Sequence, residues 1–214
     1  MTLSTIQQKQ WVGITGLIMV GFVLAHLSGN FLLFKGAEAY NGYADFLHNL
    51  GPILWVARLG LLAAFIVHMA LTIRLSILNK RARRKHYYKY RNHRSESSLA
   101  TRLMPLTGTV IFLYLIFHLL DFSLAKKVGI VGGVDLGLYG LVVTTLGNPI
   151  HAIMYIISMV CVGLHMYHAF QSVFQTFGIM THASQQKIGL VSKAFGVAIA
   201  VLYSSIPVYI LFKF

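Results

Sequence analysis

Five stretches of about twenty or more mostly apolar residues, at 12–34, 53–79, 105–124, 149–177 and 190–212, limit what this chain can fold into. A helix of that length matches the hydrocarbon thickness of a bilayer. There, a spanning segment must satisfy its own backbone hydrogen bonds. No charged side chain occurs between residues 10 and 34, and none between 194 and 212. Only 11% of the 214 residues are charged, too few to solvate five such helices in water. The pattern predicts an all-α membrane protein, one domain over residues 1–214 with five transmembrane helices. The first stretch lacks a basic leader and a small-residue cleavage pattern, so it reads as a retained helix.

The formal charge of +13 is unevenly spread. Nine of the 18 basic residues fall between positions 80 and 102, and Lys9, Lys187 and Lys193 lie on the same side of the predicted topology. The opposite connections and the C-terminus hold Lys35, Lys126, Lys127 and Lys213, with Glu38, Asp45, Asp121 and Asp135. This positive-inside asymmetry predicts a cytoplasmic N-terminus and an outer C-terminus. The basic linker then reads as a topology signal facing anionic lipid headgroups, with docking of a soluble partner as a second use. No nucleic-acid partner is expected.

Four of the five stretches each contain a histidine, His26, His68, His118 and His165. An imidazole in hydrocarbon is costly without a partner, which makes each a functional candidate. A single one is explained equally well by an interhelical hydrogen bond. Four, one per helix, predict two bis-imidazole sites, and the natural occupant of such a site is haem. Cys161 is the only cysteine and C-x-x-C-H is absent, which excludes an iron–sulfur cluster held by this chain alone and covalent haem attachment. No dinucleotide-binding or phosphate-binding glycine motif is present, and no connection is long enough for an enzyme domain.

The chain repeats itself. Thr15-Gly16 precedes His26-Leu27 by the same spacing as Thr107-Gly108 precedes His118-Leu119, and His68-Met69 is matched by His165-Met166. The pattern reads as two copies of a helical hairpin, so His26 should pair with His118 and His68 with His165. Depth agrees. At 1.5 Å per residue, His26 and His118 lie about 12 and 9 Å from the outer helix ends, and His68 and His165 each about 22 Å. Two axial imidazoles favour electron transfer over oxygen binding. Helices 1–4 are therefore expected to form a bundle holding two haems b.

Other polar residues are secondary candidates. His168, three residues from His165, competes as a ligand or would donate to a propionate or quinone. Arg58, Arg74 and Arg102 would suit haem propionates, although snorkelling to headgroups serves Arg58 and Arg74 as well. The glycines at 13, 16, 21, 29, 60, 108 and 163 fit close approach of a macrocycle or a helix. The segment 123–148 is glycine-rich and reads as a loop with a short interfacial helix.

The four-histidine order, the run RLMPLTGTVIFLYLIFHLLDF and the closing HMYHAFQSVFQTFG together resemble the cytochrome b anchor subunit of succinate dehydrogenases and fumarate reductases. The resemblance is to the single-subunit, five-helix, two-haem class and spans nearly the whole chain. In that class the fourth ligand precedes an aromatic-glycine pair by thirteen residues, which from Phe177-Gly178 selects His165. The resemblance implies a bacterial inner-membrane subunit that carries electrons from a cytoplasmic iron–sulfur subunit, itself fed by a flavoprotein. They would pass the inner haem (His68, His165) and the outer haem (His26, His118) to menaquinone or ubiquinone, with no succinate site in this chain. An acid near the outer end of helix 2 handles quinone protons in the class. The motif does not align here, and Asp45 with His48 are the nearest residues. A di-haem anchor of a hydrogenase or formate dehydrogenase is the alternative, and a haem-free transporter or scaffold the second.

Overall fold

The computed structural model describes residues 3–82, 99–124 and 129–214, with side chains given from 3 to 81, 103 to 124 and 129 to 214. Among these residues the chain is almost wholly helical. Helix α1 (Thr5–Asn30) runs into a 3-10 turn (Phe31–Lys35), then α2 (Ala37–Asn49) and α3 (Pro52–Ala82). Helix α4 (Leu99–Leu119) ends in a π-helical turn (Leu120–Leu124). A two-stranded hairpin follows, β1 (Ile130–Val131) against β2 (Val134–Asp135), then α5 (Gly137–Leu146), α6 (Pro149–Thr176) and α7 (Gln185–Lys213).

Five of these helices are long and apolar enough to cross a membrane, over Thr5–Lys35, Pro52–Arg81, Leu103–Leu124, Pro149–Thr176 and Gln185–Lys213. Their outer faces carry Val56 at 72% exposure, Ile150 at 78% and Leu190 at 70%. So much exposed aliphatic surface would be unfavourable in water and is at home against lipid. The protein is a multi-pass, all-α membrane protein.

Hydropathy located the spans, whereas caps set where the helices begin. The first apolar stretch starts at residue 12, but α1 starts at Thr5 because Ser4 caps it. The Ser4 hydroxyl accepts from the Gln7 amide at 3.2 Å, and the Gln7 side chain accepts from the Ser4 amide at 2.9 Å. Asn148 caps α6 through the amides of Ile150 and His151, with Pro149 in the first turn where a missing N–H costs nothing. Helix α4 begins six residues before Pro105, where the sequence had placed its start, and carries that proline inside.

Two connections carry structure of their own. The chain between the first two spans contains α2. The glycine-rich segment forms the β-hairpin, with Gly132 and Gly133 at φ 59° and 84° in its turn, and then α5. Helix α5 packs into the protein: its Tyr139, Val142, Val143 and Leu146 are buried in a cluster with Leu33, Tyr40, Tyr155, Ile206 and Ile210. That cluster closes one end of the bundle. Asn41 on α2 fastens it, donating to the Leu136 carbonyl and accepting from the Tyr139 amide, both at 2.9 Å.

Helix packing follows the hairpins: α3 lies on α1 and α4 on α6, with α1 also touching α6. Helices α4 and α6 run antiparallel, since Thr107 meets His165 while Asp121 meets Tyr155. The tightest seam joins α6 to α7. A Cβ on Gly163 would lie 2.5 Å from the Gly196 carbonyl oxygen and 2.8 Å from Ala200 Cβ, so only glycine allows this approach. Helix α7 is tied to α1 by the Tyr203 hydroxyl, which donates to the Val23 carbonyl at 2.7 Å.

Candidate functional site

The two hairpins place histidines at two levels, and at one of them the rings face each other. Nearer the α2–α5 end, His26 on α1 and His118 on α4 stand 5.9 Å apart between ring centres, with planes at 88°. Both are half-buried. Aromatic rings enclose them: Phe22 stacks on His26 at 5.2 Å, while Tyr114, Phe122 and Tyr155 surround His118. The Tyr114 hydroxyl lies 3.4 Å from His118 Nδ1. Phe22 and Tyr114 each precede their histidine by four residues, so the duplicated pattern extends to the ring beside each imidazole.

The backbone behind His26 is held by a short polar chain. Asn30 donates to the His26 carbonyl at 2.8 Å and accepts from the Tyr40 hydroxyl at 3.1 Å. On the other hairpin, Tyr155 donates to Asp121 Oδ2 at 3.0 Å, where both side chains are buried. Asp121 had been expected among outer residues and is instead an internal partner of α6.

The second level lies deeper in the bundle. His68 on α3 and His165 on α6 each meet the partner helix of their own hairpin. Thr15 Oγ1 is 3.3 Å from His68 Nδ1, and Thr107 Oγ1 is 3.2 Å from His165 Nδ1. Each ring also lies over the glycine after its threonine: His68 Cε1 would sit 3.5 Å from a Cβ on Gly16, and His165 Cε1 3.6 Å from one on Gly108. The Thr-Gly word that revealed the repeat therefore supplies the second helix's contact with the imidazole, a role the sequence reading had not assigned. From Gly16 to His26 the helix rises about 15 Å, which separates the two levels.

Among the described residues no group of three or more histidine, cysteine, aspartate or glutamate side chains could hold a metal ion. The imidazoles come in twos. His26 and His118, 5.9 Å apart between ring centres, would supply one pair of imidazole ligands, and His68 and His165 the other. The donor set fits a bis-imidazole haem.

The remaining candidates are dispersed. Arg58 and Arg74 are exposed on α3, with the Arg58 guanidinium 5.3 Å from the centre of the Trp55 ring. The Arg102 side chain and residues 83–98 of the basic linker lie outside the described residues. His168 is partly buried one turn from His165. Asp45 and His48, both exposed on α2, share a cavity of about 370 Å³ with Asn41, Ala44, Gly137 and Leu138. Of the glycines singled out, Gly13 meets the Phe177 ring, Gly29 the Tyr43 ring and Gly163 helix α7, whereas Gly21 and Gly60 face open space.

The chain matches no protein-family model, no curated protein and no solved structure.

Proposed function

We propose that this chain is the membrane-anchor and electron-transfer subunit of a succinate:quinone oxidoreductase in a bacterial inner membrane, with its N-terminus cytoplasmic. Two haems b would be held by His26 with His118 and by His68 with His165. When bound, they would supply one-electron carriers between a cytoplasmic iron–sulfur subunit and membrane quinone. The observation that supports the reading is the facing of His26 and His118 from two equivalent hairpins, with His68 and His165 at a second depth, each backed by an equivalent threonine. Isolated interhelical histidines have no reason to share that symmetry.

The chain's own residues would ligate, orient and seal. The threonines leave His68 and His165 one nitrogen each for a metal. The aromatic rings about His26 and His118 keep water from that level. At the α2–α5 end, the Asp45 carboxylate and His48 imidazole share a cavity where quinone protons could be exchanged. Arg58, Arg74 and Arg102 are offered as propionate contacts, and His168 as a donor beside the deeper level.

The test is direct. Pure protein should give b-type bands in a reduced-minus-oxidised spectrum and close to two haems per chain by pyridine haemochrome. An iron–sulfur protein of a succinate dehydrogenase or fumarate reductase should crosslink to the 80–102 and 177–193 segments. A haem content near zero removes the haem reading, and capture of a periplasmic hydrogenase or formate dehydrogenase subunit alone replaces the partner.

A further inference from the structure

The deeper histidines each carry a hydrogen-bond partner from the neighbouring helix, and the direction of that bond follows from chemistry. Thr15 Oγ1 lies 2.7 Å from the Trp11 carbonyl oxygen. A carbonyl only accepts, so the threonine hydroxyl donates there, and its oxygen is left to accept from His68 Nδ1. His68 Nδ1 also lies 3.2 Å from the Val12 carbonyl oxygen, which again only accepts. Nδ1 therefore carries the proton. His68 is thus held in the Nδ1–H form with Nε2 unprotonated. The second hairpin repeats the arrangement: Thr107 Oγ1 lies 3.1 Å from the Leu103 and Met104 carbonyl oxygens, which only accept, and 3.2 Å from His165 Nδ1, so donation to either carbonyl leaves the hydroxyl oxygen to accept from Nδ1–H there too.

We infer that Thr15 and Thr107 are positioning residues that fix the tautomer and basicity of His68 and His165, and so set the affinity and redox potential of the metal group these two histidines hold. This assignment rests on the haem reading above. A hydroxyl that accepts from Nδ1–H strengthens the opposite nitrogen as a donor and favours the oxidised metal. The two clamps are unequal. His68 has the Val12 carbonyl as a second acceptor, whereas among the described residues His165 Nδ1 is bonded by Thr107 alone. Losing Thr107 should matter more.

The experiment uses the whole chain, purified with its native haem, as Thr15→Val, Thr107→Val and the matching serine variants. Haem content, the optical midpoint potential of each haem and the low-temperature electron paramagnetic resonance signals are recorded. The expected result is an upward shift in the potential of one haem of the two, larger for T107V than for T15V, with the second haem unmoved and the shift reversed by serine. Loss of one haem in T107V that serine restores supports the assignment equally, because an imidazole free to protonate Nε2 no longer ligates. Two haems retained with both potentials unmoved in both valine variants overturns it and leaves the haem reading standing, as does a haem loss that serine fails to restore. A wild-type chain that binds no haem overturns the haem reading and this assignment together.

Discussion

His26 and His118 face each other across the bundle from different hairpins, 5.9 Å between ring centres and nearly perpendicular. Each belongs to a helix that is fully used elsewhere, α1 by α3 and α4 by α6, so the pair is formed where the two hairpins confront one another. Removing either ring takes away one member of the pair while the Thr107–His165 and Asp121–Tyr155 contacts between α4 and α6 stay available.

The proposed ligand pairs can therefore be tested separately by mutation. Replacing His26 or His118 with alanine should halve the haem content and remove one spectral component. Replacing His68 or His165 should remove the other, and His168→Ala should retain both. Pyridine haemochrome analysis and low-temperature spectra of the five variants decide this. Haem loss in H168A with retention in H165A would transfer the ligand role to His168.

Asp45 and His48 lie one turn apart on α2 and line one cavity. The double variant Asp45→Asn, His48→Ala should slow quinone turnover while leaving haem content and dye-linked succinate oxidation intact. Unchanged quinone turnover would move the proton chemistry elsewhere, toward the deeper histidines.

The α6–α7 seam should be intolerant of a single methyl. Gly163→Ala places a Cβ 2.5 Å from the Gly196 carbonyl oxygen and is expected to destabilise by about 1–3 kcal/mol. Gly42 on α2 has nothing within 4 Å, so Gly42→Ala should be neutral or stabilising by about 0.5–1 kcal/mol. Thermal unfolding in detergent compares the two, and equal effects would contradict the seam.

Tyr40 offers a pH dependence outside the spanning helices. Burial pushes its hydroxyl up to about 12 from the usual 10.0, and the group donates to Asn30. The folded state thus holds the proton more tightly than the unfolded chain. Its contribution is complete below pH 10 and is lost as pH rises from 10 toward 12, about 2–3 kcal/mol in all. Tyr40→Phe should flatten that part of the stability profile. An identical alkaline decline in wild type and variant would assign it to other groups.

The five spans, the one-sided charge and the recurring Thr-Gly and histidine words are properties of the chain read in order, and each was legible without coordinates. Lipid selects apolar length, and hydropathy measures it directly. Short elements are different. Helix α2 and helix α5 are each too brief to stand alone, and they exist because Asn41 bonds residues 95 and 98 positions away and because Leu33, Tyr40 and Ile210 bury α5. No local pattern carries that information. The start of α4 before Pro105 likewise depends on more than the proline's own preference.

At the site the division is sharper. The sequence determined which histidines lie within hydrocarbon and which are equivalent, because periodicity and repetition are linear. Only the tertiary structure decided which group each imidazole meets: the Thr15 hydroxyl and Val12 carbonyl for His68, Thr107 for His165, Tyr114 for His118. It also turned Asp121, near the outer end of the third span, inward onto Tyr155. The physical reason is range. A hydrogen bond acts over about 3 Å, and which groups come within it is settled by the packing of helices far apart in the chain.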